Sequence, residues 1–402
     1  MATENKKYIP TLRFTEFQND GEWKADTMET IFDIKNGYTP SKSNSSFWDN
    51  GTIPWFRMED IRKNGHILSD SIQHITPAAV KNAGLFPAYS IIVATTATIG
   101  EHALIIVDSL ANQRFTFLTK RKSFDNKLEM MYFHYFMFII DEWCKRNTNA
   151  VGLLSVNMDS FKKLTIPYPS SISEQKKIAD CFVSIDKEID ATKRKLELLK
   201  EHKKGLMQRL FPAKGKTTPE LRFPEFQNDG EWLPRPLSDI LNYEQPTPYI
   251  VEDDTYKKEG TPVLTANKGF ILGYTDESFG IYNKLPVIIF DDFTTDKKYV
   301  DFSFKIKSSA MKLLTLKDEE RDNLRFIFEC MSNIVFEEKE HKRYYISEYQ
   351  HINIYVPSSL QEQNQIADTL LSIDKQISEY DKKIKALELH KKGLMQQLFP
   401  KL

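Results

Sequence analysis

Glu174–Pro212 reads EQKKIADCFVSIDKEIDATKRKLELLKEHKKGLMQRLFP, and Glu362–Pro400 reads EQNQIADTLLSIDKQISEYDKKIKALELHKKGLMQQLFP. The two stretches keep a constant offset of 188 residues (362 − 174), with nothing inserted or lost. A gapless repeat this long marks a duplicated unit. Within the first copy Ile178, Phe182, Ile185, Ile189, Thr192, Leu196, Leu199, Lys203, Leu206 and Leu210 follow one another at alternating steps of four and three. Ile366, Leu370, Ile373, Ile377, Tyr380, Ile384, Leu387, Lys391, Leu394 and Leu398 hold the same register in the second. That spacing lays a coiled-coil seam along one helix face. Ser171-x-x-Glu174 and Ser359-x-x-Glu362 have the form of capping boxes, and each copy closes on Leu-Phe-Pro, where proline stops a helix. At 1.5 Å per residue each helix extends roughly 55–60 Å.

The duplication reaches beyond the helices. Leu12-Arg13-Phe14-Thr15-Glu16-Phe17-Gln18-Asn19-Asp20-Gly21-Glu22-Trp23 returns as Leu221-Arg222-Phe223-Pro224-Glu225-Phe226-Gln227-Asn228-Asp229-Gly230-Glu231-Trp232, at an offset of 209 (221 − 12). The order is therefore a repeated segment (1–24), a first variable domain (25–170), a long helix (171–212), a linker carrying the repeated segment (213–236), a second variable domain (237–357) and a second long helix (358–402). The expected fold is mixed α/β (α+β): two globular domains separated by a pair of long antiparallel coiled-coil helices, with pseudo-two-fold symmetry. The two middles share no residue pattern. They share a plan of strands, then a helix, then a short strand ending in proline. Expected strands include Ser90–Thr95, Leu104–Val107 and Pro286–Phe290, and expected helices include Asp125–Cys144 and Phe326–Glu340. Trp23 and Trp232 suit domain packing better than ligand contact.

Composition limits the function classes. A formal net charge of −1 leaves any basic surface to be local. No apolar run reaches the roughly 18–20 residues of a membrane span. MATENKKYIP lacks the apolar core of a signal peptide, and three scattered cysteines suit a reducing cytoplasm, so a cytoplasmic protein without a membrane partner is expected. Catalytic signatures are missing. There is no G-x-G-x-x-G. Gly215-Lys216-Thr217 lacks the upstream glycine of a phosphate loop and lies in the linker. The eight histidines form no ligand set, so no metal is implied. Asp291, Asp296 and Lys298, or Glu337 and Lys339, have the residue types of a nuclease cluster, but such strings are common on solvated loops.

Recognition chemistry remains. The candidate nucleic-acid contacts are Ser41, Lys42, Arg57, Thr95, Thr98, Asn112, Gln113 and Arg114 in the first variable domain, and Asn267, Lys268, Thr294, Lys297, Lys298, Arg343 and Tyr344 in the second. Amides pair with adenine edges, arginine with guanine, and lysine and hydroxyls with phosphates. The near-identical helix ends suggest two docking sites for two copies of one partner. Their candidate residues are Lys203, Lys204, Leu206, Met207, Leu210 and Phe211, with Lys391, Lys392, Leu394, Met395, Leu398 and Phe399 in the second copy.

Taken together, these features resemble the specificity (S) subunit of type I restriction–modification systems. The resemblance rests on the LRFxEFQNDGEW openings, Gly37-Tyr38-Thr39-Pro40-Ser41-Lys42, Trp48-x-x-Gly51-x-Ile53-Pro54-Trp55, the Ala94–Gly100 loop with Asn112-Gln113, the Glu-Gln-x-x-Ile-Ala-Asp helix starts and the Leu-Phe-Pro ends. In the second middle, Gly273-Tyr274-Thr275 and Phe290-Asp291-Asp292-Phe293-Thr294 resemble another class of target-recognition domain. The resemblance implies a non-catalytic chain whose two target-recognition domains each read half of a bipartite, asymmetric site in double-stranded DNA. It implies that the helices set the spacer, and that two methyltransferase (M) subunits bring S-adenosylmethionine and flip the adenine. It implies motor–nuclease (R) subunits with ATP and Mg, and no cofactor in this chain. The alternatives are a coiled-coil scaffold with two protein-binding heads, which has no salt-dependent DNA affinity, and a stand-alone nuclease, which cleaves with Mg²⁺ unaided.

Overall fold

The computed structural model describes residues 8–81, 84–149, 154–266, 269–337 and 343–401. They fall into two compact units, 1–192 with 383–402, and 193–382. The unit boundaries cut through both long helices, Ile172–Leu210 and Leu360–Leu398. The segments 171–212 and 358–402 are therefore not domains in their own right: each begins in one core and ends in another.

In the first unit, Lys24–Thr27 pairs antiparallel with Thr165–Tyr168 beside the start of the first long helix. A five-stranded sheet runs in the order Phe32–Asn36, Phe115–Lys120, Ser90–Ala94, His102–Ile105, Ile67–Leu68. A smaller sheet has Ile53–Phe56 between His74–Ile75 and a parallel Leu110–Ala111. Ser90–Ala94 is buried on both faces, as its unbroken apolar run requires. The aromatic helix Met130–Arg146 packs on this sheet, and its Tyr132, Phe133, Phe136, Met137 and Ile140 are buried with Ile178, Phe182, Leu398 and Phe399.

The second unit repeats this plan. Its main sheet runs Leu241–Glu244, Met311–Leu316, Val287–Asp291, Lys297–Val300. Its smaller sheet has Thr261–Leu264 between Ile271–Thr275 and a parallel Lys305–Ile306. The helix Leu324–Ser332 takes the place of Met130–Arg146. The expected helix over Phe326–Glu340 is thus shorter and earlier. Asn323 caps its start by accepting from the Phe326 N–H, and no regular helix continues beyond Ser332 over 333–337. The linker also holds more order than its prolines suggest: Leu233–Pro236 pairs with Asn353–Val356. Only Leu233 and Arg235 of this strand carry an N–H, and a short two-stranded ribbon accommodates the missing donors.

One clamp anchors each variable domain to its helix start. Arg13 makes paired hydrogen bonds of 2.7 Å to both carboxylate oxygens of Glu174, and Trp23 donates its indole N–H to the same carboxylate at 3.3 Å. Arg222 pairs with Glu362 at 2.8 Å twice, and Trp232 donates to Glu362 at 3.3 Å. Both glutamates are 1% exposed or less, and hydrogen bonding to them is the first cause that raises each arginine's pKa. Trp23 lies edge-on to Tyr132 and Trp232 edge-on to Phe326. The capping serines accept the Glu174 and Glu362 N–H groups at 3.4 and 3.3 Å.

Candidate nucleic-acid interface

In the first unit three chain segments converge at the end of the main sheet. The hairpin after Ser90–Ala94 turns through Ala97, whose φ is 64°. It is pinned when the Val156 N–H donates to the Thr95 carbonyl at 2.9 Å. Beside it, Asn112 accepts the Arg114 N–H through its side chain at 2.9 Å, closing a tight turn before Phe115–Lys120. Gly37 lies directly against this turn, where a Cβ would meet the carbonyls of Ala111 and Asn112. The Thr39 hydroxyl donates to the Gln113 side chain. The Asn112 N–H bonds to the Phe56 carbonyl at 3.1 Å, which brings Arg57 next to the same turn. Thus Arg57, Thr95, Asn112, Gln113 and Arg114 come together, and Gln113 and Arg114 are exposed. Ser41 and Lys42 are exposed on the neighbouring loop, whose Ser41 carbonyl accepts the Trp48 indole N–H. Thr98 is half-buried in the hairpin. Thr95 is only 5% exposed, so it supports the loop from within and is not a surface contact.

The second unit builds the same apex from other residues. Its hairpin follows Val287–Asp291 and turns through Thr295 at φ 53°. It is pinned by the Tyr344 N–H donating to the Asp292 carbonyl at 2.9 Å, the counterpart of the Val156 bond, with the two donors 188 residues apart (344 − 156). Thr294 and Arg343 are exposed, and Lys298 is half-buried. Tyr344, 1% exposed, is core and not a contact: its ring lies against Phe336. Lys297 is half-buried over the Tyr349 ring, and burial pushes its ammonium pKa down. Asn267 and Lys268 lie outside the described residues. The nuclease-like acid Asp291 is spent locally: one of its oxygens accepts the N–H groups of Phe293 and Thr294 at 2.9 and 3.0 Å. Among the described residues no group of His, Cys, Asp and Glu is placed to hold a metal.

The family model for the type I restriction modification DNA specificity domain matches this chain twice, over residues 20–201 and 229–389. The chain belongs to the type I restriction–modification DNA specificity family. Among curated relatives, the type I restriction enzyme EcoprrI specificity subunit of Escherichia coli is 47% identical over 171 residues, covering 42% of each chain. The EcoR124I/EcoR124II specificity subunit of the same organism is 49% identical over 146 residues, 34% of this chain and 36% of that one. The chain thus matches less than half the length of these two relatives. The crystal structure of a type I restriction–modification S subunit from M. genitalium superposes with a TM-score of 0.67 over 98% of this chain and 99% of that one, at 15% identity, and shows the shared fold.

Set in this family, the two specificity domains have apices built from different side chains on one backbone plan. The repeated helix ends carry a different lesson. Leu398 and Phe399 are buried in the first unit's core, where Phe399 stacks on Phe182 at 5.6 Å. Leu210 and Phe211 are buried in the second, where Phe211 stacks on Phe326 at 5.6 Å. Leu394, Met395, Leu206 and Met207 pack on the same cores. Lys391 donates to Asp186 at 2.6 Å, and Lys203 to Asp374 at 2.8 Å. The repeated ends therefore take corresponding places in the two cores, so their repetition does not by itself require a repeated partner. Of the expected docking residues only Lys204 and Lys392 are exposed.

Sequence reasoning overlooked Asn36 and Gln245. Both are exposed beside the pinned hairpin; Asn36 ends the first strand of its main sheet, and Gln245 directly follows the first strand of the other. The signal that could have found them is a polar residue in each last sheet strand, Thr116 and Lys312, within otherwise apolar runs.

Proposed function

We propose that this chain is the DNA-reading subunit of a type I restriction–modification complex. Each unit reads one half of a bipartite, asymmetric site in double-stranded DNA, and the long helices set the number of base pairs between the halves. The observation that carries this reading is the contrast inside one chain: clamps, sheet order and hairpin pins repeat, while the apical side chains differ. A protein that reads two different half-sites needs that combination; a scaffold for identical partners does not. Two methyltransferase subunits holding S-adenosylmethionine flip and methylate the adenine, because a base inside the duplex is out of reach. Motor–nuclease subunits holding ATP and Mg add cleavage. This chain contributes recognition and no bond-making step, and the complex works in the cytoplasm. Lys204 and Lys392, with the half-buried Leu206, Met207, Leu394 and Met395 beside them, form the methyltransferase-facing surface. No helix among the described residues is long and apolar enough to cross a membrane.

The test is co-expression with the adenine methyltransferase of the source cell, followed by single-molecule sequencing for N6-methyladenine. A gapped two-part motif that depends on this chain supports the reading and names both halves. Methylation indifferent to the chain, with no stable complex, returns the scaffold.

A further inference from the structure

Beneath each recognition hairpin lies a three-residue polar chain, built at corresponding sheet positions from different chemistry. In the first unit the Thr95 hydroxyl donates to the Thr116 hydroxyl at 2.9 Å, and Thr116 donates to the Asn36 side-chain carbonyl at 2.9 Å. Thr116 is fully buried. In the second unit Lys312 donates to the Asp292 carboxylate at 3.1 Å and to the Gln245 side-chain carbonyl at 3.1 Å. Lys312 and Asp292 are each 1% exposed. The sheet register makes the correspondence. Asn36 faces Thr116, and Gln245, one past the Glu244–Leu313 pair, faces Lys312. Thr95 and Asp292 each follow the strand residue paired to Phe115 or Met311.

An ammonium only donates, so it fixes the Gln245 amide with its carbonyl inward and its NH2 outward. The donated Thr116 proton fixes Asn36 in the same sense. Among the described residues neither amide nitrogen donates to anything. An exposed NH2 with one carbonyl lone pair still free matches the purine edge: the nitrogen donates to N7, and the oxygen can accept from an adenine amino group.

We propose that Asn36 and Gln245 are the equivalent base-reading amides of the two half-sites, with Thr116 and Lys312 as the positioning residues that orient them. The proposal rests on the reading of the chain as a DNA-specificity subunit.

The experiment uses the full chain co-expressed with its methyltransferase, comparing Asn36→Asp, Asn36→Ala, Gln245→Glu and Gln245→Ala. The acidic variants keep the inward oxygen, turn the outward donor into an acceptor and add a negative charge, whereas the alanine variants remove the amide without adding charge. Both sites are on the surface, so folding is retained, and thermal unfolding of the purified complex verifies it. The expected result is that either Asn36 variant relaxes one base pair in one half of the methylation motif by about ten-fold or more, the scale of a lost base-edge contact. The Gln245 variants relax one base pair in the other half only. Thr116→Val reproduces the Asn36 effect more weakly, with the complex still assembled. An unchanged motif in all variants overturns the proposal. Uniform weakening at every sequence by the alanine variants overturns it too, because that is the signature of a phosphate contact. A wild-type chain that directs no two-part motif removes the underlying reading, and this proposal falls with it.

Discussion

The two units differ least at the base and most at the apex. At the base, Arg13–Glu174–Trp23 and Arg222–Glu362–Trp232 agree in every partner and nearly in every distance. At the apex the hairpin pin is kept as a backbone bond, while the side chains change character: Thr95 and Thr116 become Asp292 and Lys312. Backbone bonds are indifferent to side-chain identity, so a domain pinned through them can change its surface without losing its shape. The helix faces diverge in a third way. Tyr135 donates to Asp186 at 2.9 Å beside Lys391. At the corresponding place in the second unit stands Glu329, with Arg325 at 2.7 Å and Lys203 at 3.5 Å. An aromatic hydroxyl has been replaced by a four-charge network around Asp374.

If the bases are equivalent, equal substitutions must cost equal amounts. Phe399→Ala and Phe211→Ala each empty a ring-sized space in a buried core and are expected to destabilise by about 3–5 kcal/mol in urea unfolding. Hydrogen exchange should place the loosening in the first unit for Phe399 and in the second for Phe211. A twofold difference in cost breaks the equivalence. Arg13→Ala and Arg222→Ala each leave a buried glutamate without its ion partner and should cost about 3 kcal/mol. Both should expose the paired tryptophan, read as a red shift in fluorescence.

At the apex the units must respond unequally. Lys312→Met strands the buried Asp292 carboxylate and should cost about 2–3 kcal/mol. Thr116→Val removes neutral hydrogen bonds and should cost about 1 kcal/mol. Equal costs would show that the charge difference is immaterial.

The smallest effect is acid sensitivity. Burial is the first cause that holds the His134 imidazole well below its ordinary pKa, and it lowers His66 as well. A histidine whose folded pKa is depressed contributes stability above its unfolded pKa of about 6.5 that is lost as pH falls through it, because the unfolded chain takes up the proton first. His102, Lys391 and Asp141 are the charged and titratable groups that face this pair. Phe328 holds the position of His134 in the second unit, counted from the helix starts that Gln175 and Gln363 cap. The first unit should therefore lose protection in hydrogen exchange between about pH 7 and pH 5.5 while the second holds. His134→Phe should flatten that slope.

Much of this molecule was legible in the chain. The 188-residue repeat, the seam from Ile178 to Leu210 and the terminal Leu-Phe-Pro specified two long helices, because heptad spacing and proline act within one helix turn of themselves. The turn at Asn112, Gln113 and Arg114 was legible too as a polar loop, since a side-chain-closed turn is a local event. The helix ends were misread. Phe211 and Phe399 carry no local sign of whether they face a partner or their own core, and burial is settled by segments far away in sequence. Asn36 and Gln245 were hidden for the same reason: an amide becomes a recognition group only when a strand roughly 70–80 positions on supplies the hydroxyl or ammonium that turns its carbonyl inward. Sequence alone determined what repeats, because repetition is written residue by residue. Tertiary structure alone decided which repeated residues are spent on packing and which polar groups remain free, because that is fixed by contacts between distant strands and helices.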